Sequence, residues 1–263
     1  MRRPALDWIE EATHLLHYAP ASALALYYIG ALPFTLALLW YWLDMSRNAF
    51  AHQRVESASF FLALVFLWMK CWQSAFAASL LTELSGAGGM AWGWRRVFRM
   101  VLQQSAIQPT AFIVIPMAVL LTLPFARAVG FYQNATLLGT GLGSGEEESI
   151  HGLFQRARSL TAHWAREAWS MLAIQLGFGI FVFLNVCVMV ITIPQLVKMF
   201  LGIESVFSAS ALAMINSTFF LACALITYLL VDPLLKACYV LRCFYGEALT
   251  TGADLRAELR NGG

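Results

Sequence analysis

Positions 171–193 read MLAIQLGFGIFVFLNVCVMVITI, 23 residues without a charge. At about 1.5 Å rise per residue a helix of this length reaches roughly 35 Å, enough to cross a ~30 Å hydrocarbon layer with some tilt. The segment just before it, LFQRARSLTAHWAREAW, places its apolar residues at helical period and carries three arginines. An amphipathic helix leading into an apolar crossing recurs along the chain, three times in all, and organises it.

Sixty per cent of the 263 residues are hydrophobic and 12% are charged. Soluble domains carry about a quarter charged residues, so lipid must cover part of this surface. The five cysteines (Cys71, Cys187, Cys223, Cys238, Cys243) lie in or beside apolar runs with no CxxC pair. They read as small core residues, not as a disulfide framework or a zinc site. In the N-terminal MRRPALDWIEEATHLL, Asp7, Glu10 and Glu11 interrupt the place of a cleavable signal's apolar core, so the first crossing is expected to remain.

Taken in order, Pro4 to Tyr18 has the pattern of an amphipathic helix, with Ala5, Trp8, Ile9, Ala12, Leu15 and Leu16 on one face. Ala21 to Leu43 is a crossing that closes on Trp40, Tyr41 and Trp42, an interfacial aromatic anchor. Ser57 to Leu81 returns and carries Lys70 near its centre. SGAGG at 85–89 is a hinge before a second amphipathic helix, Trp94 to Gln104, whose Trp94, Val97, Phe98 and Val101 oppose Arg95, Arg96, Arg99 and Gln103. Thr110 to Phe125 is a short apolar run broken by Pro116 and Pro124, followed beyond Arg127 by a moderately apolar stretch. GTGLGSG turns, and Ser144 with Glu147 predicts a capping box for the third amphipathic helix, striped by Leu153, Phe154, Ala157, Leu160 and Trp164. After the crossing at 171–193, Pro194 to Phe207 turns, Ser208 to Val231 crosses back, and Asp232-Pro233 starts a terminal helix.

The stretch after Arg127 decides between five and six crossings. If it returns, twelve basic residues share one side, four lie on the other, and Lys70 is inside the layer. If it does not, the division is ten to six, so the positive-inside bias favours six; a re-entrant or interfacial segment is the alternative. The expectation is an all-α polytopic membrane protein with about six transmembrane helices in three amphipathic-helix-plus-hairpin units. Those units are 1–84, 90–143 and 144–231, with a cytoplasmic helix and tail at 232–263 and both termini cytoplasmic.

Lys70 is the sharpest candidate for function. An ionisable residue deep in a span costs a few kcal/mol and by default faces protein or water with a partner. Gln73 and Ser74 share its helical face, and Asn185 and Asn216 in later crossings complete a candidate polar cluster. This reads as a site for an anionic head group, a substrate or a proton relay; against it stand a lysine that snorkels and one that only glues helices. Small residues at Ala209, Ala213 and Ser217, and Gly177 with Gly179, predict close helix packing. Glu146, Glu147, Glu148 and His151 suit a helix N-terminus better than a metal, and His14 and His17 read as interfacial. Arg95, Arg96, Arg99, Arg156, Arg158 and Arg166 are candidate contacts to anionic lipid, at about 1 kcal/mol each near the surface. No nucleophile elbow, HExxH or phosphate-cradling glycine loop is present, and no cofactor, metal or nucleic-acid partner is expected.

Near the C-terminus, Tyr239-Val-Leu-Arg242, Glu247 and Gly252-Ala-Asp254-Leu255 resemble the tail of a group of bacterial six-span membrane proteins. These are similar to the membrane domain attached to some glycerophosphodiester phosphodiesterases. The resemblance implies a multi-helix protein of the bacterial inner membrane, without a catalytic residue or an established activity. The first functional expectation is a non-enzymatic membrane component that scaffolds or assists a partner membrane protein. The second is a small transporter or lipid-handling protein with its site around Lys70.

Overall fold

In the computed structural model, which describes residues 5–86, 93–121, 125–139, 149–163, 167–204 and 215–251, every regular element among the described residues is a helix. α1 spans Ala5–Tyr18, and α2 (Ala21–Arg47) and α3 (Ala51–Ser85) form the first hairpin. Asn48 builds its turn: its side-chain Nδ2 donates to Asp44 Oδ1 at 2.9 Å, and its own Oδ1 accepts the Phe50 N–H at 3.0 Å. Glycine at position 30 brings α2 against α3, because a Cβ there would lie 2.5 Å from Trp72 Cβ. Such contacts hold helices together where water supplies no driving force.

Two of these helices contain prolines that the tertiary structure repairs. Proline removes the N–H that would bond the carbonyl four residues earlier, and in lipid that carbonyl needs another donor. Pro33 frees Ile29 O, to which Trp68 Nε1 of α3 donates at 3.2 Å. In the last helix, Pro233 frees Leu229 O, to which the Tyr28 hydroxyl of α2 donates at 3.4 Å.

α4 (Trp94–Ile107) leads through a 3₁₀ turn at Gln108–Thr110 into α5 (Ala111–Leu120), and α6 is Phe125–Leu138. α4 and α5 follow α3 in antiparallel register across the turn. Gln104 bonds Ser74, Gln108 and Lys70 wall the same cavity, and the Phe112 ring centroid is 5.0 Å from that of Phe66. Each pair is one helical turn beyond the last. The sequence expects two further crossings here, a short proline-broken run from Thr110 to Phe125 and a weaker return beyond Arg127. α5 has 10 residues and α6 has 14, about 15 and 21 Å, each short of a ~30 Å layer. α4 also turns Gln103 and Gln104 inward and leaves Val97, Phe98, Val101 and Leu102 exposed.

α7 (Ile150–His163) packs Leu153, Ala157 and Leu160 inward; α8 is Ala168–Leu201 and α9 is Ser217–Thr251. Ser149 starts α7 by accepting the Gly152 N–H on its hydroxyl at 3.1 Å. α8 runs through Pro194 instead of ending there, and stops at Gly202, whose φ of +67° suits glycine and whose N–H reaches Lys198 O at 3.0 Å. Lys198 Nζ lies 2.9 Å from Glu204, holding that carboxyl below its usual range. α9 likewise continues through Asp232-Pro233 where the sequence predicts a new helix. Gly177 and Gly179 have nothing within 4 Å of a Cβ, so the close packing expected of them is not found among the described residues.

Trp8, Ala12 and Leu15 of α1 join one core with Cys238 and Leu241 of α9, and the Trp8 and Tyr245 rings meet edge-on at 5.6 Å. The first and last helices therefore pack together, so α1 belongs to the bundle as much as to its own hairpin. Among the described residues four helices, α2, α3, α8 and α9, are long and apolar enough to cross a membrane. Phe181, Val188 and Met189 of α8 are each at least 64% exposed, as are Ile113 and Leu120 of α5. Contiguous apolar surface of this extent marks a protein whose solvent is lipid. The part of the hinge at 87–89, Ser144 with Glu147, the glutamates at 146–148, Trp164, Pro124, the stretch from Ser208 through Ala209 and Ala213, and the tail from Gly252 lie outside the described residues.

Candidate functional site

Lys70 lies fourteen residues after Glu56 and thirteen before Glu83, the nearest charges along α3. That is about 20 Å from either, the middle of a hydrocarbon layer. A charge there costs about 3 kcal/mol on insertion scales unless protein accommodates it. The ammonium is 5.4 Å from the Phe66 ring centroid, a cation–π distance, so it does not snorkel to an interface. Lys70 lines a cavity of about 320 Å³ between α3, α5 and α6, together with Phe66, Gln108, Phe112, Tyr132 and Gln133.

The charges beside it come from α9. Asp232 is buried, and its Oδ2 accepts the Tyr27 hydroxyl at 2.9 Å and Gln73 Nε2 at 3.0 Å. Gln73 Nε2 is also 2.7 Å from the Tyr228 hydroxyl. Lys236, 1% exposed, stands 3.9 Å from Asp232 Oδ1 and donates to Gln133 Oε1. Gln133 thus joins the buried ion pair to the cavity wall. Lys236 is the ammonium paired with Asp232, and no carboxylate among the described residues lies within 4 Å of Lys70.

A second polar set fixes α4 and α6 around the cavity. Ser74 Oγ accepts from Gln104 Nε2 at 3.1 Å and donates to Thr136 O at 2.5 Å. Gln108 Nε2 donates to Gln104 Oε1 at 3.0 Å and to Thr136 Oγ1 at 2.9 Å. The Thr110 and Tyr132 hydroxyls meet at 2.8 Å. Gly139 makes room for this set, since a Cβ there would collide with Gln104 Nε2. Buried polar groups satisfied in this way rigidify the helices that carry them.

Of the cluster expected from sequence, the structure brings Lys70, Gln73 and Ser74 together along one face of α3. Asn185 is exposed on α8 and donates to Phe181 O of its own helix at 2.8 Å. Asn216 accepts the Phe219 N–H at 2.9 Å and begins α9. Neither reaches Lys70. Sequence reading misses Asp232 and Lys236, which are four apart on one helical face, because Pro233 reads as the start of a helix outside the layer. It also misses Gln104 and Gln108, which show the same spacing.

Among the candidate lipid contacts, Arg95 is exposed, and Arg96 and Arg99 are half-buried on α4. Arg156 forms an ion pair with Glu247 that ties α7 to α9. Arg158 is exposed and lines a second cavity, about 430 Å³, with Phe131, Tyr132 and Phe154. Arg166 lies outside the described residues. His151 is 3.1 Å from Gln155, and no group of three or more metal-ligating side chains occurs among the described residues.

The site sets the Lys70 amine beside a cavity whose remaining walls are amide, phenol and hydrocarbon. Comparisons with protein-family models, with curated proteins and with solved structures give no match to this chain.

Proposed function

We propose that this protein binds an anionic ligand inside the membrane at Lys70 and works as a small transporter or lipid-handling protein. One observation carries the reading: Lys70, at mid-layer depth, lines a cavity while Asp232 is committed to Lys236, Tyr27 and Gln73. α4 passes into α5 through a 3₁₀ turn at Gln108–Thr110 beside the cavity, which sets the Gln108 amide into its wall.

The accompanying topology is six crossings with both termini on the cytoplasmic side of a bacterial inner membrane. α4 and α5 together make the third, about 40 Å long over positions 94–120. α6 makes a short fourth, mostly buried among its neighbours.

Reconstitution tests the function. Proteoliposomes carrying the protein are expected to speed either efflux of an organic anion dye or transbilayer movement of a fluorescent phosphatidylglycerol, and Lys70→Gln is expected to remove the effect. Rates equal to those of protein-free liposomes in both assays would end this reading.

A scaffold role is favoured by α8, of which only 6% of the most apolar window is buried, against 28–33% in the other three long helices. Purification in mild detergent with mass spectrometry tests it, and a lone monomer without a reproducible partner would count against it.

A further inference from the structure

The cavity at Lys70 is not uniform. Lys70, Gln108 and Gln133 give it polar walls. Phe66, Phe112 and Val129, each four residues and so one helical turn from one of these, give it hydrocarbon walls together with Ile115 and Pro116. The register of the three segments thus makes one end polar and the other apolar. Phe112 and Pro116 are exposed on the outer face of α5, so the apolar end lies at the lipid side of the helix pair. The Phe66 and Phe112 rings, 5.0 Å apart, stand between α3 and α5 one turn from Lys70.

We infer that the cavity holds an amphiphile with one anionic head, a carboxylate or a phosphate ester. The head meets Lys70, and the hydrocarbon body leaves between α3 and α5 past Phe112. This rests on the reading of Lys70 as a ligand site and adds the class of ligand and its path. A small inorganic anion would leave the apolar end with nothing to contact. A neutral hydrocarbon would leave the ammonium without a counter-charge in the middle of the layer, a costly arrangement. An anionic amphiphile answers both ends. At about 320 Å³ the cavity is near the lower limit of ligand pockets, so it takes the head and the first part of a chain, not a whole diacyl lipid. The head then belongs either to a single-chain acid or ester or to a membrane phospholipid.

The test uses the full chain in nanodiscs of zwitterionic phosphatidylcholine and reads the apparent melting temperature. Dodecyl phosphate and laurate, added below their micellar concentrations, are expected to raise it by several degrees, because a ligand that binds only the folded state stabilises it. Dodecanol, dodecyltrimethylammonium and inorganic phosphate are expected to leave it unchanged. Lys70→Gln is expected to abolish the shift and Lys70→Arg to retain much of it. Val129→Trp fills the apolar end while keeping Lys70, and is expected to abolish the shift as well, so the test stands even if Lys70→Gln fails to fold. Nanodiscs containing phosphatidylglycerol separate the two sources of the head: if they reproduce the shift without added amphiphile, the head is a phospholipid's; if not, it is a single-chain compound's, and both results support the inference. An equal shift with inorganic phosphate would overturn the amphiphile and leave an anion site at Lys70. A shift with dodecanol, or one that persists in both Lys70→Gln and Val129→Trp, would overturn the amphiphile and the Lys70 site together.

Discussion

The Tyr28 hydroxyl donates to the carbonyl of Leu229, the backbone group that Pro233 leaves without its helical partner. With the Trp68–Ile29 bond it makes two proline-containing helices depend on neighbours for completed backbone bonding. Tyr28→Phe is expected to lower stability by about 1 kcal/mol, the scale of interhelical hydrogen bonds in membranes. In a Pro233→Ala background the cost should nearly vanish, because alanine supplies the N–H that proline lacks. Unfolding of the four proteins in mixed micelles measures it; an equal cost in both backgrounds refutes the compensation.

Asp232 and Lys236 form a buried pair, and breaking such a pair costs more than replacing it. Asp232→Ala strands the Lys236 ammonium and is expected to cost about 3–5 kcal/mol, seen as lost expression or lost monodispersity. The double variant Asp232→Leu/Lys236→Met should recover most of that stability. Size-exclusion profiles of the single and double variants decide it.

Glycine positions separate tight from open helix faces. Gly30→Ala places its Cβ 2.5 Å from Trp72 Cβ and is expected to destabilise by about 1–3 kcal/mol. Gly177→Ala meets open space and is expected to stabilise α8 by up to about 1 kcal/mol through helix propensity alone. Thermal unfolding in detergent reads both. If Gly177→Ala leaves the isolated protein stable but detaches a co-purifying protein, α8 is the docking helix of the scaffold reading.

The topology has its own signature. In a cysteine-free background, Leu121→Cys and Asn48→Cys should react with a membrane-impermeant maleimide from the same side, and Ser85→Cys from the opposite side. Labelling of Leu121→Cys from the side of Ser85→Cys would mean that α5 and α6 are re-entrant.

Much of this architecture is legible before any coordinates. Apolar runs mark α2, α3, α8 and α9, because length and hydropathy are local properties and a helix satisfies its own backbone in lipid whatever surrounds it. Lys70, Gln73 and Ser74 are also readable, since a shared face of one helix follows from spacing alone. Pro233 misleads for the same reason: local rules place a helix boundary there, and the donor that lets the helix continue comes from position 28.

Sequence by itself determined that this chain is helical, that lipid is its solvent, and that a lysine sits halfway through its second crossing. Only the tertiary structure decided what that lysine faces. Asp232 and Lys236 lie more than 160 positions away, Gln108 comes from the turn between α4 and α5, and Gln133 from the short, only moderately apolar α6. Which polar groups meet inside a membrane is set by packing between helices, where each buried donor must find an acceptor on another element, and no single segment records its partner.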